Sequence, residues 1–470
     1  MTVSGSSRVA EILICGAGIA GVAAAYELAV RRSGDRKGKI VLVDPLPPLS
    51  LTSDKSTECY RNWWPGPGST MVRFMDRSID LLEEMTEASD DRFAMNRNGY
   101  AYFTAEPARA LELERAAREI SGLGAGELRV HRGEMSDPLF PDAPHDKLDR
   151  AIGGADLVLD PQTIRCRYPF LNPATRAMLH PRRCGWLSAQ QLGMWMLERA
   201  RAAGVELLEG SVVGIRVEED GVRGVDVRLP SGAIERIATR ALVNAAGPLA
   251  PGIGRMAGLD LPLVNELHGK VYLEDVERVV PRDLPLMIWC DPVTLDWSDE
   301  ERAELEADAD LAHLARTLPG GVHFRPEGGV DSHMLLLLFT YHLAPVAPVW
   351  PPRFDPWYPE VVLRALTHMV PGFAIYLGDR MKRPFVDGGY YCKTPENRLL
   401  VGPTPVPGFH LLCGLSGYGI MAAAAAAELL GATLCGSPVP EYATDLRLDR
   451  YQDPTYRARL DRGEFASGQL

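Results

Sequence analysis

Gly16, Gly18 and Gly21 stand in the spacing G-x-G-x-x-G between two segments of different pattern. Before them lies a short apolar run carrying Val9, Ile12, Leu13 and Ile14. After them, residues 22 to about 32 are good helix formers with basic residues in the last turn. A loop follows, then a second apolar run, residues 40–43, closed by Asp44. Strand, glycine turn, helix and strand make a parallel βαβ unit. Each glycine has a task there. Gly16 permits the tight turn, Gly18 lets a pyrophosphate approach the backbone, and Gly21 lets the helix pack against the strand. The helix start at Ile19 and Ala20 offers unpaired N–H groups and a partial positive charge to phosphates. Asp44 is placed to accept hydrogen bonds from a ribose.

This unit alone does not separate NAD from FAD, and the rest of the chain bears on that choice. A second consecutive βαβαβ half does not follow. The chain instead leaves for a mixed region and returns late to two more glycine-rich strand ends, Ala245-Ala246-Gly247 and Gly414-Leu415-Ser416-Gly417-Tyr418-Gly419. The second leads into an alanine-rich helix read as residues 414–434, whose positive end could face a ring that gains negative charge on reduction. Helical spacing also marks residues 70–86 and 189–203, while residues 98–104, 263–274, 286–290, 321–325 and 334–342 look like strands of an antiparallel sheet. The acidic stretch 299–318 reads as a solvated helix. Residues 344–359, with six prolines and four aromatics, read as a rigid connector or a lid over a pocket.

Composition excludes several classes. With 50 basic against 62 acidic residues the net charge is −12, so no excess of Lys and Arg is available for a nucleic-acid backbone. The 8 cysteines form no CxxC pair, and no metal site is expected. Their scatter, and the lack of a basic region followed by a long apolar stretch at the N-terminus, point to a cytoplasmic protein. The longest apolar run, residues 334–339, is far below the ~20 residues of a membrane span.

Four motifs carry a resemblance: ILICGAGIAGVAAAYELA, IVLVD, LVNAAGPLAPGIGRMAGLDLPL, and DGGYYCKTPENRLLVGPTPVPGFHLLCGLSGYGIMAAAAAAELL. The chain resembles the flavin-dependent amine and amino-acid oxidoreductases of the D-amino acid oxidase superfamily, on the sarcosine oxidase and dimethylglycine dehydrogenase branch. The resemblance implies a mixed α/β chain with a Rossmann-like FAD-binding domain (1–90, 181–260 and 385–445) interleaved with a substrate domain on an antiparallel β-sheet (91–180 and 261–384). A C-terminal tail, 446–470, would follow. It implies FAD as cofactor and oxidation of a carbon–nitrogen bond of a small amine, with oxygen or another electron acceptor.

Carried over residue by residue, Gly16, Gly18, Gly21 and Asp44 match the family's FAD fingerprint. Ser56, Thr57 and Arg61 fall where the chain passes the flavin, and Val213 falls in the strand that meets adenine. Ala246, Gly247 and Gly414 through Ile420 match flavin-contacting turns, among them Ser416, Gly417, Tyr418 and Gly419. His342 lines up with an active-site histidine and Tyr391 with an active-site tyrosine, although a histidine at a strand end and a tyrosine in an apolar strand both also serve packing. Arg61 could pair with a substrate anion or with the flavin, and Lys270 offers an alternative positive charge near the ring.

The departures matter too. The position of the family's flavin-linking cysteine is Gly389, three residues from Cys392, so FAD is expected to be held without a covalent bond. The family's oxygen-side lysine corresponds to Leu338, and its two carboxylate-binding basic residues to Met421 and Glu58. A simple amino acid is therefore in doubt as substrate, and an acceptor other than oxygen is favoured. Two rival readings stay open: a flavoenzyme acting on another bond in a larger metabolite, and a flavin-bearing assembly protein without turnover.

Overall fold

Strand Ile12–Cys15 sits in the middle of a six-stranded sheet and is buried on both faces. That is why its sequence is a continuous apolar run rather than an alternating one. The computed structural model describes residues 8–34, 38–141, 148–329, 331–341, 344–378 and 384–465. The strand order is Glu206–Glu209, Ile40–Asp44, Ile12–Cys15, Leu242–Asn244, Phe409–Cys413 and Leu400–Pro403, parallel except for the last pair. Ile12, Ile14, Ile40 and Leu42 face a helical layer that includes Ile19–Tyr26, Thr70–Ala88, Ala189–Ala202 and Gly419–Leu434. Leu13, Cys15, Val41 and Val43 face a small four-stranded sheet, which packs Val222, Val225 and Ile237 against them.

The glycine turn is sterically determined. Gly16 has φ +105°, and a Cβ there would stand 2.5 Å from the Ala245 carbonyl oxygen on the neighbouring strand tip. A Cβ on Gly21 would lie 1.8 Å from the Gly16 carbonyl oxygen, so the helix could not seat on the strand.

The second large sheet has nine strands. Its order is Phe385–Lys393, Val264–Glu274, Met334–Leu338, Val322–Pro326, Leu286–Trp289, Tyr100–Thr104, Ala177–Pro181, Ala155–Val158 and Leu128–His131. It is antiparallel apart from two parallel pairs, Leu286–Trp289 with Tyr100–Thr104 and Leu128–His131 with Ala155–Val158. Helix Tyr358–Thr367 packs on one face of it. Residues 385–393, grouped by sequence with the nucleotide segments, are hydrogen-bonded along their length to Val264–Glu274 of this sheet.

Two helices are shorter than their patterns suggest. The acidic one runs Asp299–Ala307 behind a Ser298/Glu301 capping box. It stops because Asp308 turns extended and its carboxylate accepts the Asp310 N–H, a local bond that competes with the helical ladder. The alanine-rich helix begins at Gly419 rather than Gly414, because Gly414 (φ 70°) and Ser416 (φ 48°) are left-handed. No helix among the described residues is long and apolar enough to cross a membrane. Among the described residues, no group of His, Cys, Asp and Glu is placed to hold a metal ion.

Among the described residues after 446, Arg450, Tyr451 and Tyr456 pack onto Glu396. Glu396 accepts hydrogen bonds from Arg450 Nε (2.9 Å) and Nη2 (2.6 Å), Tyr451 Oη (2.8 Å) and Tyr456 Oη (2.9 Å). Its carboxylate is fully buried, and Arg450 also donates to the Leu399 and Arg398 carbonyls.

Candidate active site

Strand tips and helix starts from distant parts of the chain converge on one elongated cleft, enclosing about 1490 Å³ of empty space with its mouth included. Gly16, Gly18, Ile19 and Ala20 form one part, and Asp44 with Ser53 and Ser56 another. Gly210–Val212, Ala245–Leu249, and the turn Leu415–Gly417 with Gly419 and Ile420 complete it. The Asp44 carboxylate accepts the Ala17 N–H (2.7 Å) and the Leu46 N–H (2.9 Å), and so holds the glycine turn. Burial pushes this carboxyl above its ordinary range, and the two N–H groups oppose that. Ser53, which no sequence pattern singled out, takes the Ile19 N–H on its Oγ at 2.9 Å.

The cleft suits a long dinucleotide. Two helix starts open on it, and Gly18 presents backbone where a side chain would fill the approach. Ser416 Oγ is buried without a protein partner at its inner end. A buried hydroxyl of that kind calls for a polar ligand edge.

At that inner end a second chamber adjoins, about 660 Å³ with its mouth included. Tyr391, Ser416 and Gly417 line both spaces and form the boundary between them. A Cβ on Gly417 would fall 2.2 Å from the Tyr391 ring, so the glycine turn lies flat on the phenol. Burial pushes the Tyr391 hydroxyl up to about 12, so it stays protonated as a donor. The Ser416 N–H donates to the Cys392 carbonyl at 2.8 Å and ties the turn to the same strand.

The chamber's polar groups include Arg61, His268, His323, Thr57, Thr340 and Asn397, and no Asp or Glu among the described residues lines it. Arg61 donates from Nη1 to Tyr102 Oη (2.8 Å), and its guanidinium lies 4.6 Å from the Trp64 ring centroid. Aromatic faces thus contribute to holding this cation. His268 stacks on Tyr391 with ring centroids 3.7 Å apart and 16° between planes. Its Nε2 lies 3.4 Å from Glu266 Oε2, and its Nδ1 3.1 Å from Thr340 Oγ1. A carboxylate can only accept, so Nε2 carries the proton and Nδ1 is the basic atom. Burial pushes His268 below its ordinary value, with Glu266 opposing. His323 is pulled down to about 4, mainly by burial, so it is neutral at neutral pH.

The structure sorts the expected site residues. Gly16, Gly18, Ile19, Ala20, Asp44, Ser56, Ala246, Gly247, Ser416, Gly417, Gly419 and Ile420 line the cleft. Gly21 does packing work behind it. Gly414 turns the chain without lining either space. Thr57, Arg61 and Tyr418 belong to the chamber, and Tyr391 to both. Val213 sits at a register irregularity between Val212 and Gly214, and it is Val212 that lines the cleft. His342 lies outside the described residues. Lys270 lines neither space; its Nζ donates to the Ser56 carbonyl at 3.1 Å.

Leu338 and Met421 give the chamber apolar wall. The Glu58 carboxylate turns away from it to accept the Ala189 N–H (2.9 Å), with Arg325 Nη2 3.5 Å from its other oxygen. In the Pro-rich stretch, Trp350 lines the dinucleotide cleft, and Val349 exchanges two hydrogen bonds with the Tyr390 hydroxyl. His268, His323 and Thr340 were missed. One signal for the first was present: Glu266, His268 and Lys270 alternate at period two within a strand, which puts three titratable side chains on one face.

Comparison with known proteins bears on this geometry. A family model described as FAD dependent oxidoreductase matches residues 11–433. Mitochondrial sarcosine dehydrogenase of Homo sapiens is 34% identical over 137 residues, covering 28% of this chain and 15% of that protein. Mitochondrial dimethylglycine dehydrogenase of Rattus norvegicus is 26% identical over 281 residues, covering 59% of this chain and 28% of that protein. The matched stretches thus span less than a third of those relatives' own length. Among solved structures, L-proline dehydrogenase from P. horikoshii is similar over 98% of this chain and 100% of its own, with TM-score 0.69 and 19% identity. Glycine oxidase from Geobacillus kaustophilus is similar over 94% and 99%, with TM-score 0.68 and 16% identity. At these identities the two structures bear on the fold alone.

Proposed function

The chain belongs to the family of FAD dependent oxidoreductases, and from that premise we propose that it oxidises the C–N bond of a secondary amine or modified amino acid, giving an imine that water hydrolyses. One arrangement supports this reading. A chamber with Arg61, two neutral histidines and, among the described residues, no carboxylate meets the dinucleotide cleft across Tyr391, Ser416 and Gly417. FAD is held by the cleft residues named above. When bound it supplies the acceptor for the hydrogen and electron pair leaving the carbon beside nitrogen. Trp64, Tyr100, Tyr391 and Tyr418 wall the chamber and exclude water. Arg61 pairs with a substrate anion, and the substrate's proton is taken at His268 Nδ1, beside Thr340. The start of helix Gly419–Leu434 favours negative charge at the boundary between the two spaces. Leu338 stands where the family carries a lysine beside the site of oxygen reduction, so a dye is expected to reoxidise the protein faster than oxygen does.

Anaerobic mixing with an amine panel tests the reading. Anionic N-alkyl amino acids are expected to bleach the flavin and diamines to leave it yellow, since Arg61 favours an anion and no Asp or Glu among the described residues lines the chamber. Bleaching by no amine at all would refute it. Arg61→Met should weaken binding of a carboxylate-bearing amine roughly 10- to 100-fold, the loss of one charge-assisted pair, while sparing an uncharged amine. His268→Gln should slow flavin reduction by about 100-fold or more. In the parent protein the rate should fall on the acid side, as His268 takes a proton. Cys392 lines the cleft, but burial pushes its thiol up to about 12, so it is a poor nucleophile. Acid precipitation should therefore release the yellow colour into the supernatant, and colour left in the pellet would refute non-covalent attachment.

A further inference from the structure

Strand Val264–Glu274 turns Glu266, His268 and Lys270 to one side, and all three are buried. Three titratable groups in a row are costly to bury unless each is partnered. Lys270 is satisfied by the Ser56 carbonyl. The other two meet at a single atom. Glu266 Oε2 lies 3.4 Å from His268 Nε2 and 2.7 Å from Lys393 Nζ. Both neighbours donate to this one oxygen, so they compete for it. Lys393 stands on the adjacent strand, two residues beyond Tyr391, the ring stacked on His268. The chamber's basic atom thus has a carboxylate directly behind it and an ammonium behind that.

We propose that Glu266 and Lys393 are positioning residues that set, from behind the chamber and with opposite sign, how readily His268 takes the proton of a bound amine. The inference rests on the amine reading above. In the step concerned, one N–H bond of a substrate ammonium breaks and one N–H bond forms at His268 Nδ1. Glu266 stays a carboxylate and Lys393 an ammonium, and no electrons move. The resulting imidazolium is attracted by Glu266 and repelled by Lys393. Against the burial that keeps His268 neutral, Glu266 eases its charging. Lys393 opposes that charging, so the pair trims in opposite directions a neutrality set mainly by burial.

The surroundings agree with this balance. Burial would raise the Glu266 carboxyl, but His268 and Lys393 outweigh it and hold it below its ordinary value. For His268, burial lowers, Glu266 raises and Lys393 lowers. The other polar groups facing it are the Thr340 hydroxyl, Tyr391, His323 and Arg61, with Lys270 and Asp387 further along the two strands.

The test uses the flavin-bound protein without substrate, its His268 imidazole followed by NMR through a pH titration and assigned with His268→Gln. Glu266→Gln should move the titration to lower pH and Lys393→Met should move it to higher pH. The acid limb of flavin reduction by any bleaching amine should move the same two ways. Shifts of equal sign, or none, would overturn the proposal. Glu266→Asp and Lys393→Arg, which keep the charges, should stay close to the parent. Should Glu266→Gln fail to retain flavin, Lys393→Met decides alone, because a purely structural role predicts no upward shift. If no amine bleaches the flavin, the amine reading falls, while the substrate-free titration still decides whether this pair tunes His268.

Discussion

Gly18→Asp is expected to purify colourless. Gly18 opens the first helix with its backbone toward the cleft, and the only neighbour its Cβ would meet is Ser53 Oγ at 3.2 Å. Alanine is therefore nearly accommodated, and Gly18→Ala should keep most of its flavin. Aspartate differs in charge. A carboxylate about 4 Å from a phosphate costs ~4 kcal/mol at an effective dielectric of about 20, roughly a thousand-fold in affinity. It would also compete for the Ser53 hydroxyl and the helix-start N–H groups. Flavin absorbance per protein in the purified sample measures this directly. A yellow Gly18→Asp protein would show that the phosphates lie elsewhere.

Arg450→Met should be the most destabilising single change near the C-terminus. It leaves Glu396 fully buried, with two tyrosine hydroxyls in place of a two-pronged arginine. Breaking a buried pair from one side costs about 3–5 kcal/mol. The thermal midpoint followed by circular dichroism should drop by several degrees, and adding Glu396→Gln should recover much of the loss. An unchanged midpoint would mean that the cluster contributes nothing. The change should also reach the chamber. The loop after Thr394 carries Asn397, which lines it, and the Asn397 carbonyl accepts the Tyr418 hydroxyl at 2.9 Å. Weaker amine binding should therefore accompany the loss of stability.

The nucleotide half of the site was legible because backbone steric demands are written in residue type. Only glycine satisfies φ +105° at Gly16 and the contact at Gly21, and an apolar run that ends on an acid marks a buried strand tip. Tyr391 was legible through resemblance. The chamber was not. The histidine favoured from the strand 334–342 falls beyond its described end at Leu338, whereas His268 owes its setting to Tyr391, Thr340 and Glu266, brought together only by strand pairing. Glu58, in the place of a carboxylate-binding residue, reads in sequence as a repulsive charge. In the fold its left-handed backbone (φ 65°) accompanies a side chain turned to the start of helix Ala189–Ala202. The Glu396–Arg450 pair is separated by 54 residues, and no local pattern links them.

The cleft draws on segments from Gly16 to Ile420. Such widely separated contacts form late, since every intervening loop must close first. A chain that stops short of Ile420 lacks the wall made by the turn at Leu415–Gly417 and the start of the helix that follows it. Full cofactor retention is thereby expected only of chains that extend past Ile420, which flavin absorbance of C-terminal truncations would measure.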